Sequence, residues 1–322
     1  MVRAAVKHWA RGNPEAVVRR ARWVFGYPGF LTFVHSPGVK IEKAETPHVR
    51  GEWISPTSCC SPDRVVLYVH GGGYVSCSTR THRPVTTALA RMARCRVFSL
   101  DYRWAPEHPF PAAVDDAIAS ILWLVRNGVA PAKIAVAGDS AGGGLVLAAM
   151  LRLREQGFTL PGCAVCLSPW VDLTGANKYQ NAGSCSMFQP HDIATFAALY
   201  LNGASPELPE ASPVFADLRG LPPLLIHVSN TELLFDDAVR LHGKAIRCGV
   251  RSTLRIFPEL PHVWQILFGI VPEARTSLQQ IANFICESLS VDVAPGKLRG
   301  ENRGPGSRNN TETMQAYNEG KS

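Results

Sequence analysis

Short apolar runs alternate with longer segments in which apolar residues recur every three or four positions. The first pattern is typical of strands buried on both faces, and the second of amphipathic helices. The predicted strands are 65–69, 96–100, 133–137, 163–167, 224–228 and 253–257, and the predicted helices are 82–94, 112–127, 140–156, 234–248 and 272–288. This alternation predicts an α/β fold, with a mostly parallel sheet and helices on both faces.

Two segments depart from the alternation. Residues 1–45 contain a basic amphipathic stretch, and residues 173–215 separate two predicted strands by more than an ordinary loop. The second segment includes a predicted helix at 191–201. We interpret the two segments as a helical cap over a site, although a helical decoration with its own packing is the alternative. The aromatic residues expected to line or cover the site are Trp23, Phe25, Phe30, Phe188 and Phe196.

Composition and charge exclude several classes of protein. The chain has 322 residues, 46% of them hydrophobic and 18% charged, which excludes disorder throughout its length. The net charge of +7 is uneven, because residues 1–50 hold nine basic and three acidic residues. We therefore expect no nucleic-acid partner. The longest apolar runs are too short for stable membrane insertion, although the basic stretch could touch anionic lipid.

The nine cysteines favour a reducing compartment. Their number is odd, and their spacing fits no disulfide framework. Cys163 and Cys166 form a C-x-x-C within an apolar run, without the second pair that a zinc site needs, so we interpret them as buried strand residues. The N-terminal sequence shows no secretory signal. The expectation is a cytoplasmic protein without a metal site.

A serine between two glycines is the strongest candidate for chemistry. The sequence Gly138-Asp-Ser140-Ala-Gly142 lies between a predicted strand and a predicted helix, the context of a nucleophile elbow. Glycines relieve the crowding of such a turn, which places the hydroxyl at the positive end of the helix. An incidental serine in a glycine-rich turn is the alternative.

The glycines after the first predicted strand are candidates for an oxyanion hole. When a hydroxyl attacks an ester carbonyl, the developing oxyanion needs N–H donors that already point at it. We expect the N–H groups of Gly71, Gly72 and Ala141 to supply them. A plain glycine turn or a phosphate loop is the alternative, but the Gly-Lys-Ser/Thr of a Walker loop is absent.

A serine nucleophile needs a histidine base, and in this type of elbow the chain order is serine, acid, histidine. Of the histidines after Ser140, only His262 lies in a loop after the last predicted strand. His191 lies in the insertion, His227 in a strand and His242 in a helix. His262 is therefore the predicted base.

Three acidic residues follow the predicted strand at 224–228, namely Glu232, Asp236 and Asp237. Glu232 is nearest to the end of the strand, where loops place catalytic groups. The two aspartates lie in the first turn of the next helix, where the helix dipole gives a carboxylate a structural role. We favour Glu232 as the acid and keep Asp236 as the alternative.

Together these segments resemble the hormone-sensitive lipase family of α/β-hydrolases, and its bacterial esterases in particular. The likeness extends from about Val49 to Leu289. It is carried by His70-Gly-Gly-Gly73, Asp101-Tyr-Arg-Trp-Ala-Pro-Glu-His-Pro-Phe-Pro111, Gly138-Asp-Ser-Ala-Gly-Gly143, Ser168-Pro-Trp-Val-Asp-Leu173, Ser212-Pro213 and Leu221-Pro-Pro223. The resemblance implies an α/β-hydrolase fold, with a helical cap over a mostly parallel central sheet.

The resemblance implies roles for individual residues. It gives a triad of Ser140, Glu232 and His262, with a glutamate where the family usually has an aspartate. The oxyanion donors would be Gly71, Gly72 and Ala141. The pocket would include Tyr74, Asp139 and Phe188. Trp104 replaces a usual leucine, from which we expect only a change in packing, and Arg103 and Glu107 are expected to form an ion pair.

The resemblance also divides the chain. Residues 1–45 and 173–215 would form the cap, and residues 46–172 and 216–290 the catalytic domain. Residues 291–322 are predicted to be a disordered tail.

The resulting prediction is a serine carboxylesterase that hydrolyses short- to medium-chain acyl esters without a cofactor. An amidase or deacetylase with the same triad is one alternative. A non-catalytic protein that binds a small ligand on this fold is another, but the presence of His262 argues against it. The expected partner is a small-molecule ester, and the resemblance allows a homodimer.

Overall fold

The computed structural model describes residues 13–26, 38–59, 61–176 and 181–290. The strands of the described residues are β1 Val39–Glu45, β2 Arg50–Pro56, β3 Val65–Val69, β4 Arg96–Leu100, β5 Ile134–Asp139, β6 Cys163–Leu167, β7 Leu224–Ser229 and β8 Ser252–Phe257. The helices are α1 Pro14–Gly26, α2 Arg83–Ala93, α3 Ala112–Arg126, α4 Ala141–Glu155, α5 Pro190–Leu201, α6 Phe235–Arg247 and α7 Pro272–Ser290. Phe30 and the predicted disordered tail lie outside the described residues.

The strands form one sheet in the order β1-β2-β4-β3-β5-β6-β7-β8. Pairing is parallel from β4 through β8, and antiparallel between β1 and β2 and between β2 and β4. The prediction of a mostly parallel α/β-hydrolase sheet is therefore confirmed. The carboxyl ends of β3, β5 and β7 meet at one edge of the sheet, where loops bring side chains together.

The first two strands were not predicted from the sequence. Val39–Glu45 lies in the sheet as its edge strand, although residues 1–45 as a whole were assigned to the cap. Three of its seven residues are partly buried and four are exposed, and the four exposed ones are charged. Such a strand lacks the continuous apolar run by which buried strands are recognised.

Alternate residues of the central strands pack into two cores. Val66 and Tyr68 face the layer of α2 and α7, whereas Leu67 and Val69 face the layer of α3 and α4. Cys163 and Cys166 are both fully buried but belong to opposite faces of β6. The interpretation of these two residues as buried strand residues, rather than joint metal ligands, is confirmed.

The helix α5, which lies within the long insertion, packs on the side of the sheet that carries α3 and α4. Phe196 and Tyr200 join the core of that layer. The Tyr200 ring stacks on the Tyr74 ring, with centroids 3.7 Å apart, and Tyr74 also contacts Trp170. The insertion is thereby fixed to the loop that follows β3.

One arginine anchors α1 to two loops of the main domain. Arg22 donates hydrogen bonds of 2.8 and 2.6 Å to the two carboxylate oxygens of Glu107. It also donates to the carbonyl oxygens of Val75 (2.9 Å) and Ala105 (3.2 Å). Its guanidinium lies 5.1 Å from the centre of the Trp104 ring, within cation–π range. Hydrogen bonding by Arg22 lowers the pKa of Glu107 to about 2, so the pair is charged at neutral pH.

The expected ion pair between Arg103 and Glu107 is wrong. Glu107 is bound by Arg22, and Arg103 binds Asp116, with 2.8 Å between Nη2 and Oδ1. Trp104 does more than change the packing, because it also supports the Arg22 guanidinium. The partner of Glu107 is 85 residues distant in the chain, so local spacing gave no signal for it.

We predict that Arg22→Ala weakens the docking of α1 on the main domain, which would then depend on the buried Val17 and Ala21. Because Glu107 is 54% exposed and solvent screens its charge, the lost contacts are expected to contribute about 1–2 kcal/mol. Chymotryptic cleavage after Trp23 and Phe25 should then accelerate by about tenfold, since cleavage follows local opening. Limited proteolysis with mass spectrometry measures this. Arg19→Ala, which changes an exposed arginine of the same helix, is the control. Equal cleavage rates of the Arg22→Ala and Arg19→Ala variants would show that Arg22 does not anchor α1.

Candidate active site

A strained turn between β5 and α4 presents Ser140. Its backbone has φ +52° and ψ −120°, an unfavourable combination for a residue with a Cβ. A Cβ on Gly138 or Gly142 would overlap the carbonyl oxygen of Val69 at the end of β3. Ser140 N–H donates to the Leu167 carbonyl at 2.8 Å, which holds the turn on the neighbouring strand β6. Gly142 is therefore required by the close approach of β3, whereas Gly138 is required chiefly by the Gly142 carbonyl within the turn itself.

The glycine loop after β3 packs against the same turn. Gly72 has φ +109°, and a Cβ on this residue would overlap the Ser76 carbonyl. The Gly71 carbonyl accepts hydrogen bonds from His70 Nδ1 (2.7 Å) and from the Tyr102 hydroxyl (3.3 Å). In a trans peptide the C=O and the following N–H point in opposite directions. The N–H of Gly72 therefore points away from His70 and Tyr102.

The predicted oxyanion donors have N–H groups available. In the part of the chain that the structure describes, the N–H groups of Gly71 and Gly72 take part in none of the loop and turn hydrogen bonds. Ala141 is the first residue of α4, and the first N–H groups of a helix have no partner within the helix. Gly72 and Ser140 line the same cavity.

His262 is oriented by Glu232. The distance from His262 Nδ1 to Glu232 Oε2 is 2.5 Å, and both side chains are buried. The other carboxylate oxygen, Oε1, accepts hydrogen bonds of 2.8 Å from the Ser168 hydroxyl and from the Ser229 N–H. A carboxylate accepts only, so in the neutral imidazole the proton is on Nδ1 of His262 and the lone pair is on Nε2.

The two aspartates near Glu232 have different surroundings. Asp236 lies on α6, with its Oδ2 3.7 Å from Arg240 of the same helix. Asp237 is buried and accepts 3.0 Å hydrogen bonds from the backbone N–H groups of Val171 and Asp172. The structure therefore brings Glu232, rather than either aspartate, into contact with His262.

The remaining histidines after Ser140 contact other groups. His191 is half exposed and binds Asp192. His227 lies inside β7 and binds the Ser277 hydroxyl, and burial lowers its pKa to about 3. His242 lies on α6 and binds the Ser252 hydroxyl.

A cavity of about 270 Å³ contains Ser140 and His262 in its wall. Most of the wall is apolar. Its residues are Val24, Phe25, Gly72, Gly73, Cys77, Thr81, His82, Asp139, Ser140, Trp170, Met187, Phe188, Ile193, Phe196, Pro261, His262, Val263, Ile266 and Leu267. The wall thus combines residues of α1, the insertion, and the loops at the edge of the sheet.

Two of the three predicted pocket residues line the cavity. Phe188 lines the cavity, and its ring meets the His262 ring edge-on at 5.4 Å. Asp139 also lines it, whereas Tyr74 is buried beside it against Tyr200. Among the expected aromatic residues, Trp23 is 74% exposed and does not line the cavity.

Sequence reasoning missed His82, which lies in the cavity wall beside Asp139. The distance from His82 Nε2 to Asp139 Oδ2 is 3.2 Å, and the Tyr68 hydroxyl donates to Asp139 Oδ1 at 2.7 Å. Burial alone would raise the pKa of Asp139, but the charge of His82 and the hydrogen bonds from His82 and Tyr68 together lower it. Chain order removed every histidine before Ser140 from consideration as the base, so no signal drew attention to His82.

The described residues show neither a metal site nor a membrane span. No group of three or more His, Cys, Asp or Glu side chains in the described ranges is arranged to hold a metal ion. None of the described helices has both the length and the apolar character that crossing a membrane requires. The eight described cysteines are free thiols.

Comparisons with known proteins agree with the fold. Residues 66–266 match a family described as having the alpha/beta hydrolase fold. An acetyl-hydrolase of Streptomyces hygroscopicus is 38% identical over 280 residues, which cover 86% of this chain and 92% of that protein. The crystal structure of an esterase/lipase from an uncultured bacterium matches with a TM-score of 0.82 and 38% identity, covering 90% of this chain and 96% of the other.

A second crystal structure identifies the group within this fold. It is an esterase of the bacterial hormone-sensitive lipase family, with a TM-score of 0.81, 40% identity, and coverage of 89% of this chain and 97% of that one. The resemblance inferred from the sequence motifs is confirmed. The chain belongs to the α/β-hydrolase fold family and, within it, to the hormone-sensitive lipase family of esterases.

Proposed function

We propose that this carboxylic ester hydrolase acts through an acyl-enzyme formed on Ser140, with His262 as the base and Glu232 as the acid that orients it. The observation that carries the proposal is the 2.5 Å contact between Glu232 and His262 Nδ1. It leaves His262 Nε2 as a proton acceptor in the cavity wall that also contains Ser140.

The proposed reaction has two stages. In the first, His262 Nε2 takes the Ser140 proton as Oγ attacks the ester carbonyl, and the N–H groups of Gly71, Gly72 and Ala141 stabilise the oxyanion. The imidazolium, stabilised by the Glu232 carboxylate, then protonates the leaving alcohol as its C–O bond breaks. In the second stage, His262 takes a proton from water, whose oxygen attacks the acyl-enzyme, and returns it to Ser140 Oγ as the acid leaves.

The cavity supports a substrate with a short- to medium-chain acyl group. Ligand pockets commonly have volumes of about 300–1,000 Å³, and this cavity, at about 270 Å³, is slightly smaller than that range. Aromatic rings of α1 and the insertion form part of its wall, including Phe25 and Phe188, whose centroids are 5.8 Å apart. In this proposal both segments act as a cap that limits the length of the acyl chain.

A cytoplasmic location belongs to the same proposal. It is supported by the eight free cysteines of the described residues, three of which, Cys95, Cys163 and Cys166, are deeply buried. Burial raises the pKa of the Cys166 thiol to about 12, so this thiol is an unreactive packing residue. The homodimer stays a prediction, for which an oligomeric state measured in solution is the test.

We predict that Ser140→Ala lowers kcat/KM for p-nitrophenyl butyrate by at least about 10⁴-fold, because the nucleophile is lost. An organophosphate should label Ser140 of the unmodified protein and leave the variant unlabelled. Ser205→Ala, at an exposed position of the insertion, is the control. Activity close to that of the unmodified protein would rule out Ser140. The amidase alternative would be supported if Ser140 is labelled and the unlabelled protein cleaves only the amide of a matched ester and amide pair.

The acid is tested by comparing two carboxylate-to-amide variants. Glu232→Gln should lower kcat by about 10³–10⁴-fold, since an amide neither fixes the correct tautomer of His262 nor stabilises its positive charge. Asp236→Asn should change kcat by less than about threefold, because the partly buried Asp236 faces Arg240 of the same helix and makes no contact with His262. Both variants should keep the circular dichroism spectrum of the unmodified protein. A larger loss of kcat in Asp236→Asn than in Glu232→Gln would show that Asp236 is the acid.

The acyl preference is tested with p-nitrophenyl esters from acetate to palmitate. The unmodified protein should be most active on butyrate or hexanoate. Phe25→Ala should move the optimum to chains longer by two or more carbons, because each buried methylene contributes about 0.8 kcal/mol. Trp23→Ala, two residues away on α1 but exposed, should leave the optimum unchanged. A Phe25→Ala profile identical to that of the unmodified protein would exclude α1 from the acyl site.

A further inference from the structure

A second histidine–carboxylate pair lies beside Ser140, on residues to which the proposed reaction gives no role. His82 and Asp139 both line the cavity, and their side chains are 1% and 2% exposed. Asp139 immediately precedes Ser140 in the chain. Its carboxylate packs directly against the glycine loop, since a Cβ on Gly71 would overlap Asp139 Oδ2.

The hydrogen bonds around His82 determine its protonation. The Thr81 hydroxyl donates to the Ser78 carbonyl at 2.8 Å, so its oxygen is left to accept from His82 Nδ1, 2.9 Å away. His82 Nδ1 also lies 3.3 Å from the Ser78 carbonyl, which only accepts. At the other side of the ring, Nε2 faces the Asp139 carboxylate at 3.2 Å. Both ring nitrogens face acceptors, an arrangement that only the imidazolium form of His82 satisfies fully.

The neighbouring His70 is neutral, in agreement with this assignment. Its ring stacks on that of His82, with centroids 5.5 Å apart. Its Nδ1–H donates to the Gly71 carbonyl, and its Nε2 is buried without a hydrogen-bond partner among the described residues. Burial, followed by the positive charge of His82, lowers the pKa of His70 to about 3. A charged ring at His82 and a neutral one at His70 fit the contacts of both residues.

An uncompensated Asp139 carboxylate would oppose catalysis at this position. In the proposed reaction, negative charge develops beside the N–H groups of Gly71 and Gly72. Like charges at short range in a buried site repel strongly, because little solvent screens them. The imidazolium of His82 faces the same carboxylate and cancels its charge.

We propose that His82 is a positioning residue that stays protonated and neutralises Asp139, so that the carboxylate can support the glycine loop without destabilising the oxyanion. His82 transfers no proton in this scheme, and the proposal rests on the proposed role of Ser140. It predicts that the cost of removing His82 depends on the charge at position 139.

The test is a double-mutant cycle with p-nitrophenyl butyrate, measured below the melting temperature of every variant. His82→Gln keeps a hydrogen-bond donor but removes the charge, and should lower kcat by about 100-fold with KM changed by less than threefold. Asp139→Asn alone should cost less than about tenfold. The double variant should recover at least tenfold in kcat over His82→Gln. His227→Gln, which removes a buried histidine inside β7, controls for the loss of a buried ring and should leave kcat unchanged.

Two results would overturn the proposal. One is a His82→Gln variant with kcat within threefold of the unmodified protein. The other is a double variant no more active than His82→Gln, which would show that the charge of Asp139 is not what His82 controls. Organophosphate labelling of the unmodified protein separates this test from that of the proposed function. Unlabelled Ser140 would contradict the nucleophile, whereas labelled Ser140 with an unaffected His82→Gln variant contradicts only the role of His82.

Discussion

The close approach of the turn before α4 to the end of β3 is the constraint on which the site depends. The Val69 carbonyl oxygen occupies the space that a side chain at position 142 would need, and the Gly142 carbonyl then occupies the space at position 138. Both positions therefore require glycine. Between them Ser140 has a strained conformation that the hydrogen bond to Leu167 holds in place. Because the same contact brings the residues after β3 beside Asp139, the hydroxyl and the glycine loop are fixed by one packing arrangement.

Two histidine–carboxylate pairs then lie in the wall of one cavity with different hydrogen bonds. Glu232 engages one nitrogen of His262 and leaves the other with a lone pair, which is the arrangement of a proton acceptor. His82 has acceptors at both nitrogens, which is the arrangement of a fixed cation. His262 and His82 thus differ in whether the nitrogen that does not face the carboxylate has an acceptor of its own, and not in the type of residue. In one site, histidine can therefore serve both as a base and as a counter-ion.

The sequence predicted the features that depend on local pattern. The strands β3 to β7 are almost entirely buried and mostly apolar. The glycines around Ser140 are needed for local steric reasons. Glu232 was placed correctly beside His262 because loops after strand ends meet at one edge of the sheet. The edge strand β1 escaped recognition because it is charged and half exposed. The pairing of Arg22 with Glu107 and that of His82 with Asp139 join distant segments, so only the folded structure brings them together.

The two functions of the cavity wall depend on different parts of the fold. The groups of the proposed chemistry are attached to β3, β5, β7 and β8 by short loops, and their positions follow from the sheet. The apolar wall comes partly from α1 and α5. Both helices bury apolar side chains in the main core, and Arg22 and the stacked pair of Tyr74 and Tyr200 add further contacts. The contacts of Arg22 involve neither Glu232 nor His262, so a change there acts on the cavity wall at Phe25. The insertion is less separate, because Phe188 meets the His262 ring and Asn181 donates to the Glu232 carbonyl. The proposed acyl preference is therefore physically separable from the proposed reaction at α1 but not at the insertion.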